Sequence, residues 1–571
     1  MSNEKTTDFL IIGSGAAGVC AALYAASAGH SVMLCERASK IGGTTALSNA
    51  MIWVPCSDHA IAAGIDDSLD QVRTYLRGEL GNYYDEKKID AYLEYGPQAV
   101  QEIEKCSEVT FVLAGAPDYH SNRAGGVDKG RALSPVPFNG RRLGADFDLI
   151  GDPIRVVLGG MMITSSEIKH FLNPLKSVTA LLHVLRRVSR YLIDRLQFSR
   201  GTELSGGNAF LAAALMSLRK LNVELATDCP MKELIFEGDR ATGAVISHKG
   251  SDIRVQARYG VILATGGFAA NPELRAEMGA KHQHDVTLCA AENQGDGIKA
   301  ARKAGGMLDL KVASPGFWTP VSRLKNKDGS TAIVPYGWLD RGRPGVIAVG
   351  PKGKRFVNES NSYHDVCIGL FENGYPDDER FFFICEEAFV KKRGMGDILP
   401  WPWTPSLGSY LRRGYIQRGE TLEALAKEID INPEALMATV SQHNQNVHSG
   451  QDPDFGRGES AFNLALGDTS LGLKNPNLGE IKNGPFIALR IVPGTLGTAA
   501  GLKTDEKARV LKEDDSAILG LYACGNDATS IMAGIYPGAG ITIGPAIVSA
   551  YLAVEDAKAA AEGTEITRAY K

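Results

Sequence analysis

The hydrophobic pattern of the first 36 residues predicts a strand, a helix and a second strand in close succession. Residues 8–12 (DFLII) form a short apolar run, which favours a buried strand. An alanine-rich stretch follows and stops at Gly29, where a helix is expected to end. A second apolar run, SVMLCE, ends at Glu36. The pattern predicts that the chain opens with a compact βαβ unit.

The turn between the first strand and the helix has the form G-x-G-x-x-G. Gly13 permits the tight turn, Gly15 lets the backbone approach a pyrophosphate, and Gly18 lets the helix pack closely on the strand. The helix N-terminus faces the phosphates, and the acid that ends the second strand accepts hydrogen bonds from a ribose. The residues predicted to bind the dinucleotide here are Gly13, Gly15, Ala16, Ala17, Gly18, Glu36 and Arg37.

Small residues and hydroxyls recur at later turns, which suits a long cofactor lying across the sheet. The loop 41–48 reads IGGTTALS, and 261–271 (VILATGGFAAN) repeats the pattern of an apolar strand before a glycine turn. A further helix starts after Gln294, and GLYACGND (520–527) again joins a strand to a glycine and a polar cap. The additional predicted cofactor residues are Gly43, Thr44, Thr45, Ser48, Ala264, Thr265, Gly266, Asp296, Gly525, Asn526 and Ile541.

These positions predict a mixed α/β protein whose Rossmann-like cofactor domain is split in sequence. We expect residues 1–320 and 490–571 to form that domain, and 321–489 to form an inserted α+β catalytic domain. The inserted region holds four of the five tryptophans. Within it, 421–445 predicts two amphipathic helices separated by a turn at Asn432-Pro433. No second G-x-G-x-x-G unit in this context is present, so electrons are expected to leave to an external acceptor.

Composition and charge exclude several classes of protein. The 571 residues are 44% hydrophobic and carry a net charge of −5, which argues against a nucleic-acid partner. The nine cysteines are scattered without a C-x-x-C pair, and no metal-binding motif occurs, so we expect a reducing compartment and no metal. The N-terminus lacks the basic region of a signal peptide. We therefore expect a cytoplasmic location.

A helical insertion at about 150–200 has a different pattern. Between 174 and 198, apolar residues recur at three- and four-residue steps: Leu175, Val178, Leu182, Leu185, Val188, Leu192 and Leu196. Basic residues mark the other side: Lys176, Arg186, Arg187, Arg190 and Arg195. Two interpretations are open: a helix that lies in the inner face of a membrane, or a helix packed on its domain with solvated arginines.

Three tyrosines stand in unusual surroundings. Tyr119 precedes a run rich in glycine and arginine, Tyr363 follows RFVNES, and Tyr536 opens YPGAGITIGPA. These last two stretches, together with 41–55 and 491–511, resemble 3-ketosteroid Δ1-dehydrogenases in the same order along nearly the whole chain. The split cofactor domain likewise resembles that of the fumarate reductase and 3-ketosteroid dehydrogenase superfamily.

The resemblance implies non-covalently bound FAD and desaturation of ring A of a 3-ketosteroid, as in bacterial steroid degradation. It assigns Tyr536 and the Gly540 N–H to the ketone oxygen, Tyr363 to the base, and Tyr119 to its support. The chemistry is consistent with those roles. A carbon beside a ketone releases a proton only if the developing enolate oxygen is stabilised, and a phenol and a backbone N–H together form such an oxyanion site. A free tyrosine has a pKa of about 10, so the base needs its phenolate favoured.

Four alternatives are weighed against this interpretation. A fumarate reductase needs cationic side chains for a dicarboxylate, and 524–545 contains neither His nor Arg. A 3-ketosteroid Δ4-(5α)-dehydrogenase has a serine soon after the Tyr-Pro pair, where this chain has Gly538 and Gly540. A dehydrogenase of other cyclic ketones and a flavin-binding redox or membrane-docking module without desaturase activity remain open.

Overall fold

The computed structural model describes residues 4–154, 159–164, 167–172, 174, 177–279, 286–335 and 340–564. Its strands, numbered β1 to β23 in chain order, are Glu4–Ile12, Val32–Cys35, Ile52–Trp53, Phe111–Leu113, Ala132–Pro135, Phe138–Asn139, Glu203–Leu204, Glu224–Ala226, Met231–Glu237, Arg240–His248, Ser251–Leu263, Val286–Thr287, Leu308–Asp309, Gly316–Lys325, Thr331–Pro335, Val346–Val349, Phe382–Glu386, Gln417–Gly419, Phe486–Arg490, Val492–Thr498, Gly501–Leu502, Arg509–Leu511 and Ala517–Ala523.

The helices, numbered α1 to α17, are Ala16–Ser27, Gly43–Leu47, Asp58–Ala62, Leu69–Leu80, Glu86–Cys106, Ile168–Leu172, Val178–Asp194, Gly206–Lys220, Pro272–Glu277, Asp296–Lys303, Tyr363–Glu372, Glu387–Arg393, Gly408–Arg412, Leu422–Glu428, Pro433–Ser449, Ala461–Leu466 and Ile543–Glu562. The two amphipathic helices predicted in 421–445 are confirmed as α14 and α15, and Asn432 caps the second.

The largest sheet carries the predicted βαβ opening. Its order is β22-β23-β10-β11-β1-β2-β8, with β9 on β10. Strand β1 lies between β2 and β11 and is parallel to both, and residues 7–12 are buried. Burial on both faces accounts for the continuous apolar run in this strand. The C-terminal strand β23 pairs in parallel with β11 and brings the two ends of the chain into one sheet. The predicted mixed α/β fold is confirmed.

Two further sheets stand beside this one. Strands β16-β17-β19-β18 form an antiparallel sheet inside the predicted catalytic domain, and a second sheet has the order β12-β20-β14-β15. The predicted domain boundary at 320 falls inside β14, which pairs with both β15 and β20. A strand that spans the boundary joins the two regions through backbone hydrogen bonds. The boundary at this point stays a prediction.

The helical insertion has its apolar stripe on the outside. Helix α7 buries Ala180, Val184 and Tyr191, whereas Val178 and Leu196 are 74% and 83% exposed. The sequence placed Arg187 on a solvated basic side, and this is wrong. Arg187 is buried because its guanidinium bonds the carboxylate of Glu167 at 2.8 Å and that of Glu203. Leu175 and Lys176 lie outside the described residues.

Candidate active site

The three glycines of the predicted dinucleotide turn each have a distinct environment. Gly13 has a φ of +104°, a conformation that favours glycine. A Cβ on Gly18 would lie 1.8 Å from the Gly13 carbonyl oxygen, so only glycine lets α1 approach the turn this closely. A Cβ on Gly15 would meet nothing nearer than the Thr45 hydroxyl at 3.7 Å. The open space at Gly15 fits the approach of a pyrophosphate to the backbone.

Glu36 is tied to this turn. One carboxylate oxygen accepts from the Ser14 N–H at 3.0 Å and from its hydroxyl at 2.5 Å, and the other accepts from Ala38 N–H at 2.9 Å. A carboxylate oxygen offers two acceptor positions. The Glu36 oxygen that accepts from Ala38 N–H can therefore also accept from a ribose hydroxyl. The adjacent Arg37 pairs with Asp296 at 2.5 Å, so two predicted cofactor residues that are distant in sequence meet at one edge of the site.

The second predicted loop packs its hydroxyls against the first. Helix α2 starts after Gly42, and the Thr45 hydroxyl accepts from Ala16 N–H at 3.0 Å. The Thr44 hydroxyl accepts from Ala290 N–H and from the side-chain amide of Asn293, both at 3.0 Å. Ser48 donates instead to the Thr45 carbonyl at 2.8 Å and ends the helix. Gly43 itself faces open space, since a Cβ there would meet only Asn293 at 3.9 Å.

Asp527 holds the third turn together. The cofactor residues predicted in this segment are Gly525 and Asn526 and do not include it. Its buried carboxylate accepts from Thr265 N–H at 2.6 Å, from the Thr265 hydroxyl at 2.8 Å and from Gly267 N–H at 2.9 Å. Asn293 donates to the Gly266 carbonyl at 2.9 Å. The predicted residues Ala264, Thr265 and Gly266 are thereby joined to Gly525 and Asn526, which directly precede Asp527. The sequence signal that could have identified Asp527 is a polar residue just after the glycine that follows a strand.

Three tyrosines that are far apart in sequence meet beside this cradle. The hydroxyls of Tyr119 and Tyr363 are 3.1 Å apart. The ring of Tyr536 stacks on that of Tyr119 with centroids 5.4 Å apart and meets the ring of Tyr363 edge-on at 5.1 Å. Phe317 and Phe462 pack against this tyrosine trio at 5.5 and 4.5 Å. The structure therefore brings together the three tyrosines that the sequence singled out.

Residues 536–540, called here the ketone loop, are fixed by backbone contacts. The Pro537 carbonyl accepts from the Tyr75 hydroxyl at 2.7 Å and from Tyr119 N–H at 2.9 Å. Gly540 has a φ of +99°, and a Cβ there would lie 2.6 Å from the Ile52 backbone. Its carbonyl accepts from Trp53 N–H at 3.2 Å, whereas its N–H has no acceptor among the described residues. The loop thus presents a phenol and a free backbone donor, with Ile541 buried directly behind them.

Position 540 requires glycine for a steric reason. In the structure the missing Cβ points at the Ile52 backbone, so glycine is needed for the backbone path itself.

Comparison with known proteins identifies the family. A sequence profile for the FAD binding domain matches residues 8–543. The chain belongs to this FAD-binding family. It is 35% identical to the 4-oxocyclohex-2-ene-1-carboxylate 5-dehydrogenase of Sinomonas cyclohexanicum, over 98% of this chain and 95% of that protein. It is 34% identical to the 3-oxosteroid 1-dehydrogenase of Mycolicibacterium smegmatis, over 97% of both.

A solved structure covers nearly the same length. The 3-ketosteroid Δ1-dehydrogenase of Sterolibacterium denitrificans, in complex with 1,4-androstadiene-3,17-dione, superimposes with a TM-score of 0.89 at 31% identity. The match spans 97% of this chain and all of that one. Together with the family profile, these relatives make the chain an FAD-dependent dehydrogenase, as the sequence predicted.

A charged cluster in this FAD-dependent dehydrogenase lies next to the tyrosine trio. His120 bonds Glu79 at 2.8 Å through Nδ1 and Asp365 at 2.9 Å through Nε2, and Arg123 also bonds Glu79 at 3.0 Å. Burial alone lowers the pKa of His120, but Asp365 and Glu79 outweigh it and raise that pKa to about 10. The imidazolium therefore links the Tyr119 loop to the first turn of α11. Its position directly after Tyr119 was a signal that the sequence interpretation did not use.

The buried surroundings of the tyrosine trio oppose ionisation of its phenols. Burial and the neighbouring Tyr119 raise the pKa of the Tyr363 phenol well above its usual value, while Tyr536 and the guanidinium of Arg341 lower it. His364, the next residue, is held neutral near pH 7, since burial lowers its pKa to about 4. Its Nδ1 accepts from Trp318 N–H at 3.2 Å. Two groups therefore favour a phenolate at Tyr363: the hydrogen bond with Tyr536 and the positive charge of Arg341.

Proposed function

We propose that this enzyme is an FAD-dependent 3-oxosteroid 1-dehydrogenase that removes one hydrogen each from C1 and C2 of ring A. The observation that carries the proposal is the ketone loop beside Tyr363. Tyr536 and the Gly540 N–H offer two donors to one oxygen, and the Tyr363 ring meets that of Tyr536 at 5.1 Å. A relative and a structural neighbour that act on 3-ketosteroids support the same assignment.

The reaction starts with the ketone oxygen held by Tyr536 and Gly540. As a proton leaves the α-carbon, negative charge develops on that oxygen, and the two donors stabilise it. Tyr363, as phenolate, takes the α-proton, and the Tyr119 hydroxyl donates to the phenolate oxygen before the transfer. FAD, when bound, supplies the acceptor for the hydride of the β-carbon. Phe317 and Phe462 cover the tyrosines and keep water from the enolate.

The residues that would hold FAD form the cradle described above. The open backbone at Gly15 and the helix α1 N-terminus suit the pyrophosphate, and Glu36 suits the adenosine ribose. Thr44, Thr45 and the Thr265 turn follow along the same path. We propose that the remaining predicted cofactor residues contact FAD along this line and that Ser48 acts only through the backbone of α2.

A small cyclic keto acid is the second candidate substrate. The relative that acts on 4-oxocyclohex-2-ene-1-carboxylate is as similar to this chain as the steroid enzymes are. A carboxylate needs an available cation, and the guanidinium that acts on the tyrosines, Arg341, is turned to backbone carbonyls. The aromatic cover of Phe317 and Phe462 favours an apolar substrate instead. We therefore place the steroid first.

Product analysis tests both candidates. The flavin-loaded enzyme is incubated with an artificial electron acceptor and either androst-4-ene-3,17-dione, a saturated 3-ketosteroid or 4-oxocyclohexanecarboxylate. We expect a new C1–C2 double bond in the steroids. Desaturation at C4–C5 alone would assign the Δ4 reaction, turnover of the keto acid alone would assign the second candidate, and flavin that no cyclic ketone reduces would indicate a binding module.

We propose that electrons leave to an external acceptor. Within the described residues, the large sheet contains one βαβ unit with the glycine turn, and no second nucleotide-binding unit accompanies it. An artificial dye should therefore support turnover, and NAD⁺ should not. Turnover with NAD⁺ at the rate seen with the dye would contradict this proposal.

We further propose that the insertion at 174–198 rests on an anionic phospholipid surface. Helix α7 leaves Val178, Leu182, Leu185 and Leu192 exposed opposite its buried side, and Leu196, two residues past its end, is exposed as well. None of the described helices is long and apolar enough to cross a membrane. An exposed apolar stripe of this size on a helix that already packs by its other side fits insertion to the depth of the headgroups.

Exposed cations lie beside the stripe in sequence, and a tryptophan contacts the insertion. Arg186 on α7 and Arg195 directly after its end are exposed, which suits anionic lipid. Trp401 is 64% exposed, and the Trp403 indole N–H donates to the Phe171 carbonyl at 2.9 Å, which places the tryptophan loop next to the insertion. Tryptophan is the side chain that most favours the membrane–water interface. A steroid dissolved in lipid would then be close to the protein.

Liposome flotation with phosphatidylglycerol-containing vesicles tests the membrane contact. We expect the wild type to float, L182Q/L185Q/L192Q to stay in solution, and R186E/R195E to float less. Arg187 is left unchanged because it is buried in ion pairs. The matched control is I61Q/L519Q, which changes exposed apolar residues elsewhere and should float like the wild type. A wild type that does not float, or a triple variant that floats equally well, would contradict the proposal.

A further inference from the structure

A buried arginine lies behind the loop that leads into Tyr363. Arg341 is 1% exposed, and its guanidinium donates to the Glu359 carbonyl at 2.6 Å and to the Asn361 carbonyl. Its Nε has no hydrogen-bond partner among the described residues. The side chain therefore holds the two carbonyls that lie four and two residues before Tyr363.

Arg341 differs from the two other buried arginines of this region. Arg355 pairs with Glu359 at 2.7 Å and Asp452 at 2.8 Å, and Arg457 pairs with Glu359 at 2.9 Å. Arg341 pairs with no carboxylate in the described part of the chain and bonds neutral carbonyls instead. Removal from water without an anionic partner is costly for a guanidinium, and burial lowers the pKa of Arg341 to about 10. The carboxylates of Asp340 and Asp365 act on this charge, but neither forms an ion pair with the guanidinium among the described residues.

The other charges near the phenols are balanced. Asp365 is bound to the His120 imidazolium, which also bonds Glu79, and Glu79 in turn bonds Arg123. His364 is neutral at pH 7, and the Asp340 carboxylate, whose charge acts on Arg341, accepts from the Gly396 N–H at 3.0 Å. Tyr119, Tyr536 and Arg341 shift the pKa of the Tyr363 phenol, and Arg341 is the cation among them. Arg341 also lowers the pKa of Tyr119, where the Asp365 carboxylate opposes it.

We propose that Arg341 is a positioning residue whose unpaired guanidinium charge favours the phenolate of Tyr363 while its hydrogen bonds hold the loop before that residue. The inference rests on the proposed role of Tyr363 as the base. A nearby cation typically lowers the pKa of an acidic group by about 1–3 units. Without it, the fraction of Tyr363 present as phenolate near neutral pH falls by roughly 10- to 1,000-fold.

The test compares R341M, which removes the charge, with R341K, which keeps a cation. Flavin-loaded R341M should bind 1,4-androstadiene-3,17-dione within about threefold of the wild-type Kd, read from the flavin absorbance, because the ketone loop is untouched. Its kcat/KM should fall by roughly 10- to 1,000-fold, and the pH at which activity rises should move upward. R341K should recover most of the activity and the wild-type pH profile.

Two results would overturn the proposal. One is an R341K variant as inactive as R341M with ligand binding intact, which would show that the shape of arginine matters and its charge does not. The other is an R341M variant whose ligand affinity falls in parallel with its activity. If R341M does not fold, R341K alone tests the proposal. Because lysine keeps the positive charge, the pH profile of R341K should match that of the wild type, and a shifted profile would contradict the proposal. A wild type that binds no steroid would instead contradict the proposed substrate.

Discussion

The hydroxyl of Tyr119 lies 3.1 Å from that of Tyr363 and joins the loop that carries Tyr119 to the first turn of α11. A hydrogen bond to a charged group contributes about 1.5–3 kcal/mol, so Y119F should lower kcat by roughly 10- to 150-fold. Y363F removes the proposed base and should lower kcat by roughly 10²–10⁴-fold. Both variants should keep FAD, as read from the visible absorbance of the purified protein.

The matched control for this pair is Y522F. Tyr522 is a buried tyrosine whose hydroxyl bonds Asp556 at 3.0 Å, away from the trio. Steady-state rates within threefold of the wild type are expected for this variant. Near wild-type rates in yellow Y363F would instead remove the role assigned to Tyr363.

Gly540 should not tolerate alanine. A Cβ there would lie 2.6 Å from the Ile52 backbone, so the ketone loop must shift and the N–H donor moves with it. Loss of one oxyanion donor typically costs about 10²–10³ in kcat. The control is G374A, where φ is also positive, at +111°, but no atom lies within 4 Å of the added Cβ. Equal kinetic losses in G540A and G374A would mean that backbone strain, and not donor placement, accounts for the effect.

FAD binding should depend on Gly18 and much less on Gly29. The two glycines lie near the two ends of α1, and a Cβ on Gly18 would meet the Gly13 carbonyl at 1.8 Å whereas one on Gly29 would meet nothing. G18A should be purified with little flavin, and G29A should retain it. Equal flavin-to-protein ratios, measured by absorbance at 450 and 280 nm, would contradict the packing argument.

The flavin should be released when the protein is denatured with acid. A cysteine attacks as its thiolate, and burial raises the thiol pKa of Cys289 to about 11 and of Cys524 to about 12. These two cysteines next to the cradle are thus poor nucleophiles for a covalent bond to the cofactor. Yellow colour that stays with the precipitated protein would contradict the expected non-covalent attachment.

The His120 cluster should make stability depend on alkaline pH. The pKa of His120 is about 10 in the folded protein and about 6.5 when unfolded, so the folded state holds the proton more tightly. The stabilisation is complete below pH 6.5 and is lost as pH rises through about 10. Urea unfolding of the wild type and H120Q should therefore differ most at pH 6 and converge above pH 10. The exposed His448 supplies the control H448Q, and a difference that stays constant with pH would contradict the prediction.

The sequence predicted the parts of this enzyme that depend on local pattern. The glycine turn at 13–18 follows from backbone geometry, which one short segment specifies, and the ketone loop was found by its motif. The sequence did not predict contacts made across the chain, such as Asp527 with Thr265, because no local periodicity encodes a partner 262 residues away. Helix α7 shows the same limit. Its apolar stripe is evident in the sequence, but which side is covered depends on the rest of the fold, and Glu167 and Glu203 draw Arg187 inward.

The Pro537 carbonyl has a consequence for the range of substrates. It accepts from the Tyr75 hydroxyl and from the Tyr119 N–H, so the ketone loop and the segment that carries Tyr119 are held together as one piece. A substrate of different shape cannot be accommodated by moving the ketone loop without also disturbing Tyr119. Changes in substrate range should therefore arise from residues outside these two segments, such as Phe462, which packs on the Tyr119 ring. We therefore expect the ketone ring of the substrate to stay the same while the rest of the substrate varies.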